Sequence, residues 1–222
     1  MTATPPGDAR YAQVLAFPNG RELARRLPPL VVGLFVLGFA IAVSVRADLG
    51  VSPWDVFHQG IARATGLSFG LVVVLVGNGV LHAWIPLHQR LGLGTVLNTL
   101  SVGLIANLGL YLIPDQHALA VRIPMLLGSV VMFGVGGGLY IGSGLGPGPR
   151  DGLMTALARR GHRIWTVRTV LECSVLVAGF ALGGHVGVGT VLLAFTIGPA
   201  THAGLHRFHL PVSEGAPEVL GE

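Results

Sequence analysis

Residues 27–45, LPPLVVGLFVLGFAIAVSV, run for nineteen positions without a charge. A bilayer's hydrocarbon core is about 30 Å thick and takes roughly 20 apolar residues of helix, so this run is long enough to span one. Similar runs recur at 67–87, 92–113, 122–142, 164–184 and 186–206, the fifth interrupted by Arg168 and Glu172. In lipid every backbone polar group must be satisfied within the structure, and runs of this length do that as helices. The expected fold is therefore an all-α membrane protein with six transmembrane helices. Composition agrees, because 51% of the 222 residues are hydrophobic and only 11% charged, too greasy for an ordinary soluble domain.

The six runs are not independent. LGVSPWDVFHQGIARAT from Leu49 is answered by LGPGPRDGLMTALARRG from Leu145, and RLPPL at 26–30 by RIPML at 122–126. GLGTVLNTLSVG at 92–103 returns as GVGTVLLAFTIG at 187–198, so the offset is 96 and then 95. Between Leu49 and Leu75 the ungapped match keeps eight identities, where composition alone gives roughly two. Each copy holds three spans, and an odd number turns the second copy over. Two inverted three-helix repeats follow, over residues 26–113 and 122–206, joined by a loop at 114–121. The Pro- and Arg-rich segment 1–25 and the polar segment 207–222 read as disordered cytoplasmic tails, with no removable signal peptide at the start.

Inverted repeats with Gly/Pro-interrupted segments at matching places point to the binding site of a transporter. Ser52, Pro53, Trp54 and Asp55 fit the first positions of a helix, with Ser as N-cap, Pro where no amide is needed and a carboxylate near free N–H groups. Gly148, Pro149, Arg150 and Asp151 repeat the arrangement. Each opens a short helix, at 53–65 and 149–160, with an apolar stripe suited to an interfacial or a re-entrant segment. Two readings of Asp55 and Asp151 stay open, a cap alone or a cap that also touches substrate or a coupling ion. Arg150 adds positive charge to a helix start already suited to an anion.

Charges inside spans are costly and usually functional. Arg168 and Glu172, four apart on one helix face, match Val72 and Val76 of the first copy and so break the symmetry. Glu172 is a candidate to carry a proton or hold a cationic group with Arg168 as partner; a purely structural ion pair is the alternative. Asn78, Asn98 and Asn107 also lie within spans, where interhelical hydrogen bonding competes with pocket lining. Gly134, Gly138, Gly142 and Gly146 recur every four residues and form a face for close helix packing, either internal or toward a homodimer or partner protein.

Other chemistry is sparse. Cys173 is the single cysteine and reads as a small buried apolar residue. His202, His206 and His209 share a helical spacing, but no further ligand motif accompanies them, so neither a metal nor another cofactor is expected. No P-loop, dinucleotide fingerprint or GxSxG elbow is present, and an enzyme is not expected. The formal charge of +4 comes with fourteen basic residues, all arginine. Ten of them fall on one side and three on the other, which places both termini in the cytoplasm by the positive-inside rule and makes nucleic acid an unneeded explanation.

The runs LYIGSGLGPGPRDGLM, VRTVLE and GVGTVLLAFTIGP, with LGVSPWDVF in the first half, resemble the YczE/YitT-like family of bacterial integral membrane proteins. The resemblance spans roughly residues 26–206 and implies a small multi-pass protein of the bacterial cytoplasmic membrane, without assigning substrate or site residues. The residues themselves favour a small-molecule permease or exporter, with the lipid bilayer and an unknown small molecule or ion as partners. A membrane-embedded accessory or regulatory protein is the alternative.

Overall fold

The computed structural model describes residues 20–89, 91–208 and 210, and these form eight helices with no strand. They are α1 (Gly20–Ala47), α2 (Pro53–Thr65), α3 (Phe69–Leu87), α4 (Leu93–Leu112), α5 (Leu119–Gly142), α6 (Pro149–Ala158), α7 (Ile164–Ala181) and α8 (Val188–Phe208). All except α2 and α6 are long and apolar enough to cross a membrane. Every expected span and both short helices are present. The first span starts earlier than expected, so residues 20–25 belong to α1 and not to a tail. The last span likewise runs on through Arg207 and Phe208, which belong to α8 and not to the second tail; residues 1–19, 209 and 211–222 of the expected tails lie outside the described residues, as does Arg90.

Helices α1 and α5 form the antiparallel centre. Their backbones come so close that a Cβ on Gly33 would lie 2.6 Å from the Tyr140 amide and 2.8 Å from the Gly136 carbonyl. Leu30, Leu34, Phe133 and Tyr140 fill the surrounding core. Helix α4 runs parallel to α1 through Ala42 and Gly109, and α8 runs parallel to α5 through Gly138 and Gly204. The glycine face of α5 is therefore occupied by α8, because Gly134 abuts Ala200 and Gly138 abuts Gly204. That outcome is the internal packing reading, and a second chain would have to displace α8 to reach Gly134 or Gly138.

Contacts recur in pairs. Arg26, 2% exposed, donates Nη1 to the Ser143 carbonyl at the end of α5 (2.8 Å), and Arg122 donates Nε to the Ala47 carbonyl at the end of α1 (2.8 Å). The Gly94 amide donates to Leu145 O (2.8 Å), and the Gly189 amide to Leu49 O (2.7 Å). Thr95 Oγ1 accepts the Gly92 amide and Thr190 Oγ1 the Gly187 amide. In every pair the two members stand 95 or 96 residues apart. The short helices also cross over: α2 packs on α7, and α6 packs on α3. Pro53–Val56 of α2 and Pro149, Gly152, Met154 and Ala156 of α6 are buried. Gly152 leaves room for the ring of Trp84, whose Nε1 donates to Pro149 O at 3.0 Å.

One pairing is not repeated. Helices α3 and α4 pack along each other, with Gly70 against Gly103 and the Gly70 amide held by Asn107 Oδ1 at 2.8 Å. Among the described residues α7 and α8 diverge, and the Arg168 guanidinium lies against Gly198 across the gap. Cys173 is exposed on α7, contrary to the buried position expected of it. Among the described residues helix α7 packs mainly on α2 and α6, and Cys173 faces away from them.

Candidate functional site

A cavity of about 390 Å³ lies where the two short helices begin, and all eight helices contribute to its wall. Its volume is at the small end of the usual range for small-molecule pockets, and its lining is mostly apolar with a few polar groups. Of the sequence-derived candidates, Asp55, Asn98, Arg150, Asp151, Arg168 and Glu172 all line it. Asn78 does not. Its Nδ2 donates to Val74 O of its own helix (2.9 Å), on the side of α3 away from the cavity-lining Val73, Val76, Gly77 and Val80.

The two helix starts differ. At α2, Ser52 is the N-cap and its Oγ accepts the Asp55 amide at 3.3 Å, as the sequence suggests. The Asp55 carboxylate is not itself an amide cap. Its Oδ2 accepts the Ser52 hydroxyl (2.6 Å), and its Oδ1 lies 3.3 Å from His58 Nδ1. Asp55 is only 3% exposed, so this carboxylate is sealed and its polar partners are fixed.

At α6 the N-cap is Gly148, with no side chain to cap the helix, and Pro149 follows at the first position. The amides of Arg150 and Asp151 then have no acceptor within the helix. The Asp151 side chain is 39% exposed and its nearest charge is Arg150, at a loose 3.9 Å. A Cβ placed on Gly148 would stand 3.0 Å from Tyr140 Oη, 3.2 Å from Asp151 Oδ2 and 3.7 Å from Asn98 Nδ2. Three polar groups from α5, α6 and α4 thus converge on a residue without a side chain.

Tyr140 and His58 were not singled out from the sequence. Tyr140 is 2% exposed and its hydroxyl has no hydrogen-bond partner among the described residues; Trp54 Nε1, at the α2 end of the same cavity, is likewise buried and unpartnered. His58 stands three residues after Asp55 within WDVFH, a spacing that puts both on one helix face and was the available signal. For Tyr140 the only signal was a hydroxyl inside an apolar run.

The remaining polar wall is the Arg168–Glu172 pair, Nε to Oε1 at 2.9 Å. His202 also lines the cavity and packs edge-on against His206 at 4.7 Å. Among the described residues no group of His, Cys, Asp and Glu is placed to hold a metal ion. The cavity thus sets polar groups within an apolar shell, with the buried Asp55 at the α2 end and the accessible Asp151 carboxylate at α6.

Comparison with known proteins is consistent with this architecture. Residues 24–204 match the model of a family of unknown function, DUF6198. An uncharacterized protein of Haemophilus influenzae is 41% identical over 170 residues, covering 76% of this chain and 78% of the relative. The uncharacterized membrane protein YczE of Bacillus subtilis is 31% identical over 197 residues, covering 87% of this chain and 89% of YczE. A third relative, the uncharacterized protein YyaS of Bacillus subtilis, is 26% identical over 181 residues, 77% of this chain and 88% of YyaS. No solved structure matches the chain. With six apolar helices long enough to span a bilayer and a family match over most of its length, the chain belongs to the DUF6198 family of YczE-like membrane proteins.

Proposed function

We propose that this protein is a small-molecule permease or exporter of the secondary type, built as two inverted repeats that rock about the shared cavity. The observation that carries the reading is the cavity itself, which gathers six polar and charged candidates from four helices of both copies into one apolar shell. The paired contacts 95 or 96 residues apart support the repeat, since a two-fold relation requires each bond to have such a mate. The antiparallel course of α1 and α5 supports the inversion.

In this reading the protein lies in the bacterial cytoplasmic membrane with both termini inside, so the α6 end of the cavity faces the cytoplasm. The sealed Asp55 and accessible Asp151 correspond to a state open inward. Rocking one copy on the other exchanges their environments, which is alternating access. The chemistry is binding and release, with no bond made or broken.

The test is a cysteine at Val76, which lines the cavity, in a Cys173→Ser background. A membrane-impermeant maleimide is applied to right-side-out and to inverted vesicles. Labelling from both faces is expected of a transporter. Labelling from one face only would instead favour a fixed accessory protein.

A further inference from the structure

The cavity also carries information about the charge of its occupant, an inference that rests on the permease reading of the same site. Three carboxylates line it, Asp55, Asp151 and Glu172, against two guanidiniums, Arg150 and Arg168. Asp55 already has Ser52 and His58, and Glu172 has Arg168, whereas Asp151 has only the loose contact with Arg150. Beside Asp151 the Tyr140 hydroxyl is a buried group with no partner among the described residues, 3.0 Å from where a Cβ of Gly148 would stand. Burying an unpaired hydroxyl is unfavourable, so one kept in a native structure calls for a partner, and a bound ligand supplies one. Next to it the α6 amides of Arg150 and Asp151 have no acceptor within their helix and no side-chain cap.

These groups discriminate among ligands. A hydroxyl, an amide side chain and two helix-start amides need an acceptor, and a carboxylate at a helix N-terminus provides it. A lone anion, however, would set four negative charges against two positive ones in an apolar shell, which is unfavourable. A lone cation would suit the excess carboxylate but would leave Tyr140 and the α6 amides without an acceptor. A molecule with both charges meets both demands. The geometry points to a small zwitterion as the occupant, its carboxylate held by Tyr140 Oη, Asn98 Nδ2 and the amides of Arg150 and Asp151, and its ammonium facing Asp151. Glycine at 148 is required because any side chain would occupy the place where Tyr140 and the ligand meet.

The experiment measures binding to the purified full chain in detergent by calorimetry and thermal stability. Three probe classes of similar size are used: neutral α-amino acids, the matching monocarboxylates without the ammonium, and the matching primary amines without the carboxylate. Binding by at least one amino acid and neither of its single-charge analogues is expected. Tyr140→Phe should weaken that binding about 10- to 100-fold, the value of one hydrogen bond to a charged group. It should leave the ligand-free protein at least as stable, because the hydroxyl it removes has no partner. Asp151→Asn, at an exposed side chain, should weaken amino-acid binding as well. The proposal is overturned if a single-charge probe binds as well as the amino acid, if Tyr140→Phe binds with wild-type affinity, or if no amino acid binds. Two-sided labelling of Val76→Cys with no amino-acid binding would sink the ligand class and leave the permease standing; one-sided labelling would remove the permease.

Discussion

At the scale of the residue, the two aspartates that the sequence presents as equivalent are not so in the folded protein. Asp55 is sealed between Ser52 and His58, while Asp151 is accessible and loosely paired. Replacing Asp55 by Asn removes the charge and leaves one acceptor oxygen in place of the two that face the Ser52 hydroxyl and the His58 ring. Asp55→Asn is therefore expected to lose about 1.5–3 kcal/mol of stability, the range for a buried hydrogen bond to a charged group. Asp151→Asn should stay within about 0.5 kcal/mol of wild type, as an exposed site away from packing does. Thermal unfolding in detergent compares the two, and equal losses would mean that Asp151 is held as firmly as Asp55. Gly152 is a second residue-scale case. A Cβ there would stand 2.0 Å from the Trp84 ring, so Gly152→Ala should be destabilising by about 1–3 kcal/mol through overpacking. Combining it with Trp84→Leu should recover part of that loss in the same unfolding measurement.

At the scale of the element, most of the architecture was legible because a membrane span is a property of a local stretch. Length and apolarity located α1, α3, α4, α5, α7 and α8, and Ser52–Pro53 and Gly148–Pro149 located the starts of α2 and α6. What was not legible depends on contacts between distant stretches. Asn78 was a candidate from its polarity, yet at helical spacing Val73, Val76, Gly77 and Val80 form the cavity face of α3, and residue 78 falls outside it. Tyr140 and His58 became visible only once α5 and α2 were placed around the same space. The glycines of α5 announced a close contact without naming the neighbour, which is α8. Because a Cβ on Gly138 would stand 2.3 Å from the Gly204 carbonyl carbon, Gly138→Val should push α5 and α8 apart and lower the unfolding temperature. The molecular mass by light scattering should not change. A loss of mass without loss of stability would instead identify a dimer contact on this face.

At the scale of the whole molecule, several of the paired contacts tie residues 26–113 to residues 122–206. Arg26 reaches the end of α5 and Arg122 the end of α1; the loop at Leu145 is bonded to the start of α4 and the loop at Leu49 to the start of α8. In the proposed permease, rocking one copy on the other would exchange the environments of paired positions without breaking a helix. Trp54 and Arg150 report on that exchange, since they are mates 96 residues apart, one buried at the sealed end and one accessible at the other. If the resting protein samples the opposite state at about 0.1–10% of the population, a cysteine replacing Trp54 should react with a thiol reagent about 10- to 1000-fold more slowly than one replacing Arg150. Both measurements belong in a Cys173→Ser background. A ligand that favours the opposite state must shift the two rates in opposite directions, because it can change the population only through its different affinity for the two states. Equal rates would mean that α2 seals nothing. No reaction at position 54 in a folded, reagent-stable protein would mean that the second state is never visited, and the symmetry would then serve assembly alone.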